Sequence, residues 1–261
     1  MEQLKDILLT YDVYNRGLGY VQGMSDLLAP IYAVVQDDSI AFWCFVRFME
    51  RMERNFLRDQ SGMRSQLLAF DQLVQLMDPK LYLHLQSADS TNFFFFFRML
   101  LVWYKREFEW DDILTLWEVL WTDWLSSGFH LFVALAILEK HRDVIMTHLK
   151  HFDEVLKYVN ELAGTIDLES TLISAELLFK NFQRTVEAID RRGDFPTPTL
   201  RKRKTPATQP DQPQAPETSS STVEGAKVLA PDSPKPGDAV ITPQLRQLQS
   251  RKVSKIEHVE P

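Results

Sequence analysis

The chain has 261 residues, 45% hydrophobic and 11% aromatic, enough apolar material for a sizeable core and too much for a fibrous or wholly disordered protein. Residues 193–261 hold 10 Lys/Arg and 8 Asp/Glu, which leaves 19 basic and 28 acidic residues in 1–192, a net charge near −9. A surface of that sign repels phosphate backbones and excludes nucleic acid as a natural partner, while the single cysteine, Cys44, excludes an internal disulfide framework and suits a reducing compartment.

Apolar residues recur at helical spacing from the start to about Ile189, nothing there alternates like a strand, and the fold class is read as all-α. The first distinctive stretch is Asn15-Arg16-Gly17-Leu18-Gly19-Tyr20-Val21-Gln22-Gly23-Met24-Ser25-Asp26. Its glycines describe a loop whose backbone passes close to something and which enters a helix at about Met24, although a plain helix-to-helix turn has the same composition. Asp37, Asp38 and Ser39 then cap a helix predicted over Ile40 to Leu57, in which Cys44, next to Phe42, Trp43 and Phe45, reads as a buried, inert thiol. Asp78 before Pro79 is a second helix start.

Phe93 to Phe97 is apolar on every side of a helix and is expected at the centre of the bundle. Ile113, Leu116, Trp117, Leu120, Trp121 and Trp124 form one broad apolar stripe that must pack on other helices. No segment reaches the roughly 18 unbroken apolar residues of a membrane span: Phe93 to Tyr104 is interrupted by Arg98, and Leu131 to Leu138 is short, so both read as buried helices. His141, His148 and His151 have no carboxylate or cysteine at zinc-binding spacing and read as a solvated helix end. Asp167 caps a last helix over Leu168 to Asp190.

After Arg192 the composition turns to Pro, Ser, Thr, Gln and Lys, which cannot bury enough apolar surface to offset chain entropy, so 193–261 is expected to be a disordered tail. Within it Leu245 to Ile256, carrying Arg246, Arg251, Lys252 and Lys255, reads either as solvated chain or as a short amphipathic helix that forms on a partner or membrane. The chain has no Walker-type phosphate loop and no Gly-x-Ser-x-Gly elbow. Its start, Met-Glu-Gln-Leu-Lys-Asp, lacks the order of a signal peptide, and its end, His-Val-Glu-Pro, carries no lipidation signal. A cytoplasmic protein is expected.

Tyr20-Val21-Gln22-Gly23-Met24 resembles the Tyr-x-Gln-Gly-Met hallmark of the TBC-domain Rab GTPase-activating proteins. Ile40-Ala41-Phe42-Trp43-Cys44 resembles the aromatic helix that follows in that family, and Ile113 to Leu120 its Leu-x-x-Trp-Asp-x-x-Leu helix, so the likeness covers about residues 1–190. Ser90 to Phe93, Trp103 to Phe108 and Glu118 to Thr122 are most similar to fungal members acting on the late-endosomal and vacuolar Rab.

The resemblance implies a multi-helix bundle like the C-terminal subdomain of the TBC fold, spanning 1–192. It implies a Rab-family GTPase as partner, regulation of vesicle trafficking, and a place at endosomal or vacuolar membranes reached through that Rab. No cofactor or metal of the chain's own is expected, because GTP and Mg²⁺ belong to the Rab. Gln22 maps onto the family's glutamine finger, a catalytic residue acting in trans, whose amide can donate and accept while it aligns a water on the γ-phosphate. Tyr20, Gly19, Gly23 and Met24 would support the loop, with Gly23 leaving room for the close approach of the two backbones.

The family's second catalytic residue, an arginine in an Ile-x-x-Asp-x-x-Arg motif upstream of the glutamine, has no match in this sequence. The expectation is a domain without its arginine finger and without the start of the helical fold, which leaves one apolar face of the opening helices exposed. Arg16 reads as a solvated loop arginine rather than a substitute. Three readings stay open: part of an activator, a short form that binds a Rab without accelerating hydrolysis, or a helical scaffold that touches no GTPase.

Overall fold

A computed structural model of the chain describes residues 2–193 and 241–251. Among the described residues there are twelve α-helices, one 3-10 turn and no strand. In chain order the helices are α1 Glu2–Tyr14, α2 Met24–Val35, α3 Asp38–Phe56, α4 Ser61–Met77 and α5 Pro79–Ser87. After the 3-10 turn Phe94–Phe96 come α6 Phe97–Leu101, α7 Trp110–Trp121, α8 Phe129–Lys140, α9 Arg142–His148, α10 Phe152–Glu161, α11 Leu168–Gly193 and α12 Pro243–Gln247.

The starts follow from local chemistry. Asp37 accepts from the Ile40 N–H at 2.9 Å, and Asp167 accepts from the Ser170 N–H at 2.9 Å, so each satisfies a helix-start donor that has no partner inside the helix. Asp78 accepts from the Lys80 and Leu81 N–H groups, with Pro79 in the first turn of α5, and the same carboxylate pairs with Arg142 of α9. One aspartate thus starts a helix and ties two helices together.

α8 is the centre of the molecule. Every residue from Leu131 to Leu138 is buried, so this helix has no solvent face and must be wrapped on all sides. α11 lies along it, with the Phe132 ring 5.1 Å from Phe179 and 5.4 Å from Phe182, and both contacts fall in the range of favourable aromatic pairs.

Three expectations change here. Phe93 to Phe97 is not one helix: Phe93 sits at φ 49°, the chain tightens into the 3-10 turn, and the rings diverge, so Phe93, Phe95 and Phe96 enter the core while Phe94 stays 53% exposed. The stripe on α7 ends early, because the helix stops at Trp121 and Asp123 turns the chain at φ 48°, which leaves Trp121 and Trp124 exposed. Cys44 is exposed, because α3 turns Ala41, Phe45, Phe48, Met49 and Met52 inward and Cys44 falls outside that stripe.

The opening helices do present an apolar face. Leu9, Val13 and Tyr14 of α1 and Trp43 of α3 are exposed and, with Thr10 and Phe42, line a shallow cleft. Residues 194–240 and 252–261, where most of the expected disordered tail falls, lie outside the described residues. Within 241–251 the helix is Pro243–Gln247 rather than 245–256, and it is seated on the protein's own body, with Ile241, Leu245 and Leu248 buried.

Candidate functional site

α1 ends in a turn closed by the Asn15 side of the chain: the Gly19 N–H donates to the Asn15 carbonyl at 2.8 Å, and the Leu18 N–H reaches the Asn15 Oδ1 at 3.3 Å. Gly19 takes φ 67°, a left-handed conformation that side chains other than Asn and Asp rarely adopt. The Tyr20 N–H then donates to Asp12 Oδ1 at 2.8 Å, which pins the loop to the last turn of α1. On the far side the Val21 N–H meets the Met24 Sδ at 3.3 Å, and the Met24 N–H donates back to the Val21 carbonyl at 3.1 Å. The short stretch between the two helices is therefore held at both ends.

Gly23 stands at the N-cap of α2 with φ 106°. A Cβ built there would lie 3.4 to 3.7 Å from side-chain atoms of Phe56, Val102 and Leu101, which is ordinary contact with the protein's own interior. The expectation that Gly23 clears space for an incoming backbone is corrected accordingly. What this position needs is the left-handed backbone, and the turn it allows carries the chain from the exposed loop into a buried helix.

Beneath the loop, α2 is anchored to a segment 80 residues away. Arg106 meets Asp26 in a two-pronged ion pair, Nε to Oδ1 at 3.0 Å and Nη2 to Oδ2 at 2.8 Å. The hydrogen bond to Asp26 raises the Arg106 guanidinium above its already high pKa, so the arginine keeps its charge in the pair. Next to it, Glu107 is fully buried against Arg98 at 2.9 Å, and burial pushes its carboxyl upward despite that arginine. The turn through Leu101, Val102 and Arg106 thus backs the loop with apolar contact on one side and charge on the other.

Against this frame the sequence-identified residues separate. Gln22 is exposed and, among the described residues, its side chain makes no hydrogen bond. Tyr20 is 48% exposed and is held through its backbone alone. Met24 is fully buried, so it supports the loop from within the core. Arg16 is exposed and makes no ion pair among the described residues. His141, expected on a solvated helix end, is half-buried, with Nδ1 2.8 Å from the Tyr158 hydroxyl, whereas His148 and His151 are exposed. Three residues that shape the site were missed: Asp12, Asp26 and Arg106. Asp12 and Asp26 are unremarkable acids in a sequence full of them, and nothing in the order of residues ties position 26 to position 106.

A free primary amide on a turn fixed at both ends offers one acceptor and two donors at a defined point in space. It can orient a small polar molecule between itself and a second surface without changing its own fold.

The sequence model of the Rab-GTPase-TBC domain matches residues 1–146, more than half of the chain, and the chain belongs to that family. Among curated relatives it is 67% identical over 192 residues to the GTPase-activating protein GYP7 of Yarrowia lipolytica, 74% of this chain and 26% of that protein. The GYP7 of Saccharomyces cerevisiae is 54% identical over 188 residues, 72% of this chain and 25% of that protein. TBC1 domain family member 17 of Homo sapiens is 48% identical over 177 residues, 68% of this chain and 27% of that protein. The chain spans about a quarter of the length of these relatives. Among solved structures, the Ypt/Rab-GAP domain of Gyp1p aligns with a TM-score of 0.60 at 22% identity, covering 72% of this chain and 66% of that one, a likeness of fold. No helix among the described residues is long and apolar enough to cross a membrane.

Proposed function

We propose that this chain binds a GTP-loaded Rab-family GTPase and presents Gln22 in trans to the water that attacks the γ-phosphate. The observation that carries this reading is the state of Gln22: an exposed amide with no hydrogen bond among the described residues, on a turn pinned by Asp12, Met24 and Gly23. An amide left unsatisfied on a fixed turn is preorganised, and preorganised groups act on a transition state without a reorganisation cost. GTP and Mg²⁺ belong to the partner, and residues 1–192 form the working domain. The likeness of Ser90 to Phe93, Trp103 to Phe108 and Glu118 to Thr122 to fungal members acting on the late-endosomal and vacuolar Rab is the ground for a Rab of that class, with the protein meeting those membranes through it.

Within these 261 residues no Ile-x-x-Asp-x-x-Arg motif occurs, and a cation at the transition state is worth roughly 10³ or more in rate. That observation favours a second reading, capture of the Rab with little acceleration by this chain alone. Single-turnover GTP hydrolysis across a panel of Rabs, with binding to the GTP-loaded forms measured in parallel, separates the two. Acceleration that is lost in Gln22→Ala with binding intact supports the first. Binding without acceleration supports the second, and a chain that binds no GTP-loaded Rab refutes both.

A further inference from the structure

The segment 241–251 is a strap held to the body at five places. Ile241, Leu245 and Leu248 are buried, and Leu248 lies over Gly128, where a Cβ would come within 2.8 Å of its side chain. Thr242 Oγ1 donates to Gln72 Oε1 of α4 at 2.5 Å and accepts from the Leu245 N–H at 3.2 Å, capping α12. Arg246 forms a two-pronged pair with Asp190 of α11 at 2.6 and 3.1 Å. The Ser127 N–H and hydroxyl both donate to the Ser250 carbonyl, at 2.8 and 3.1 Å, and the Arg251 guanidinium stands 6.0 Å from the Trp124 ring. One of these ties, to Gln72, is made by the Thr242 side chain itself, and the Arg246–Asp190 pair follows four residues later in the same strap.

We propose that Thr242 is a phosphorylation site and that its modification releases the strap. Thr242-Pro243 is the local sequence that proline-directed kinases accept. The step transfers the γ-phosphoryl of ATP to Thr242 Oγ1: a new O–P bond forms, the bond from the γ-phosphorus to the β–γ bridging oxygen breaks, ADP leaves with the electron pair, and the hydroxyl proton passes to the kinase. The product oxygen has no proton to donate, so the bond to Gln72 is lost. The phosphate adds nearly two negative charges at the N-cap of α12, in the same short segment as Arg246. It competes with Asp190 for that guanidinium and turns a tie between strap and body into one within the strap. The body it must leave is acidic, 28 Asp/Glu against 19 Lys/Arg over residues 1–192, and Asp71 adjoins Gln72 in sequence, so the new charge is repelled by the body. In the docked state the half-buried Thr242 hydroxyl is already committed to two hydrogen bonds. The kinase therefore acts on the released strap, and phosphorylation traps it there.

The test uses the full chain carrying T197A, T205A and S233A, so that Thr242 is its one residue in a Ser/Thr-Pro sequence, treated with ATP, Mg²⁺ and a proline-directed kinase. Hydrogen exchange is read at Ser127, Leu245 and Leu248, with L245D as the released reference and α8 amides as the check that the body is folded. Should L245D disturb α8, the exposed charge reversal R246E takes its place. The expected result is one phosphate at Thr242, faster transfer in the released reference than in the parent, and exchange at the three amides roughly tenfold to a hundredfold faster after phosphorylation, the loss of one charge-assisted hydrogen bond or more. Three results overturn the proposal: a phosphorylated chain as protected as the parent, a released reference as protected as the parent, or no phosphate at Thr242 even in the released reference.

Discussion

Acid should destabilise this protein through one histidine. His130, in the first turn of α8, has Nε2 2.7 Å from Gln66 Oε1, and the Gln66 amide in turn donates to Asn55 Oδ1 at 2.7 Å. Its ring stacks on Trp103, over which the Arg51 guanidinium also sits at 5.0 Å. Burial first, and then Arg51, lower its pKa from 6.5 to about 3, against a weaker upward pull from the Ser127 carbonyl. A depressed pKa means that the unfolded chain binds the proton first, so the stability is complete above pH 6.5 and drains away as the pH falls toward 3. Between pH 7 and pH 5 the loss is about 2 kcal/mol at 1.36 kcal/mol per unit, and nearer 1 where solvent reaches the ring. Urea unfolding at the two pH values measures it: His130→Gln, which keeps a donor toward Gln66 but cannot titrate, should lose about 0.5 to 1 M less in midpoint than the parent. Other carboxylates and histidines titrate equally in both chains and cancel. Equal midpoint losses in parent and variant would refute the assignment of this pH dependence to His130.

Two further outcomes test the packing. Gly62→Ala places a Cβ 2.5 Å from Asn55 Oδ1 and 2.6 Å from the Arg54 carbonyl carbon, so α3 and α4 must separate; a loss of about 1–3 kcal/mol by urea unfolding is expected although alanine favours helix. Asp78→Ala removes both the α5 cap and the Arg142 pair and should cost about 2–3 kcal/mol, whereas Asp78→Asn, which keeps the cap oxygen, should cost less than half of that in the same thermal or urea assay.

The helix starts were legible because capping is local: Asp37, Asp78 and Asp167 act within three residues of themselves. The candidate loop was legible for a related reason, since Gly19 and Gly23 mark the left-handed turns that frame Gln22. The misreadings at Phe94 and Trp124 share a cause. Each assumed that a helical period continued across Phe93 or Asp123, and both residues take positive φ without being glycine, held there by tertiary packing that no neighbouring residue announces. Cys44 was misjudged from its sequence neighbours, although Phe42 is only partly buried, Trp43 is exposed, and neither belongs to the inner stripe of α3. The strap left a usable signal: Thr242-Pro243 is a helix start, and Ile241, Leu245 and Leu248 keep helical spacing, but composition outweighed them. The Asp26–Arg106 clamp left none, because a contact across 80 residues is a property of the folded body.

The direction in which Gly23 faces decides how mutational data on the loop should be interpreted. Because φ 106° strains any side chain there, and its Cβ would face Phe56 and Val102 in the interior, loss of activity in a Gly23 variant would report a displaced loop and would be no measure of the contacts proposed for Gln22. The informative substitutions are those at Gln22 and Tyr20, whose side chains are exposed and can change without disturbing the core. A saturation scan of the loop should accordingly split by residue, with Gly23 variants failing together with thermal stability and Gln22 variants failing alone.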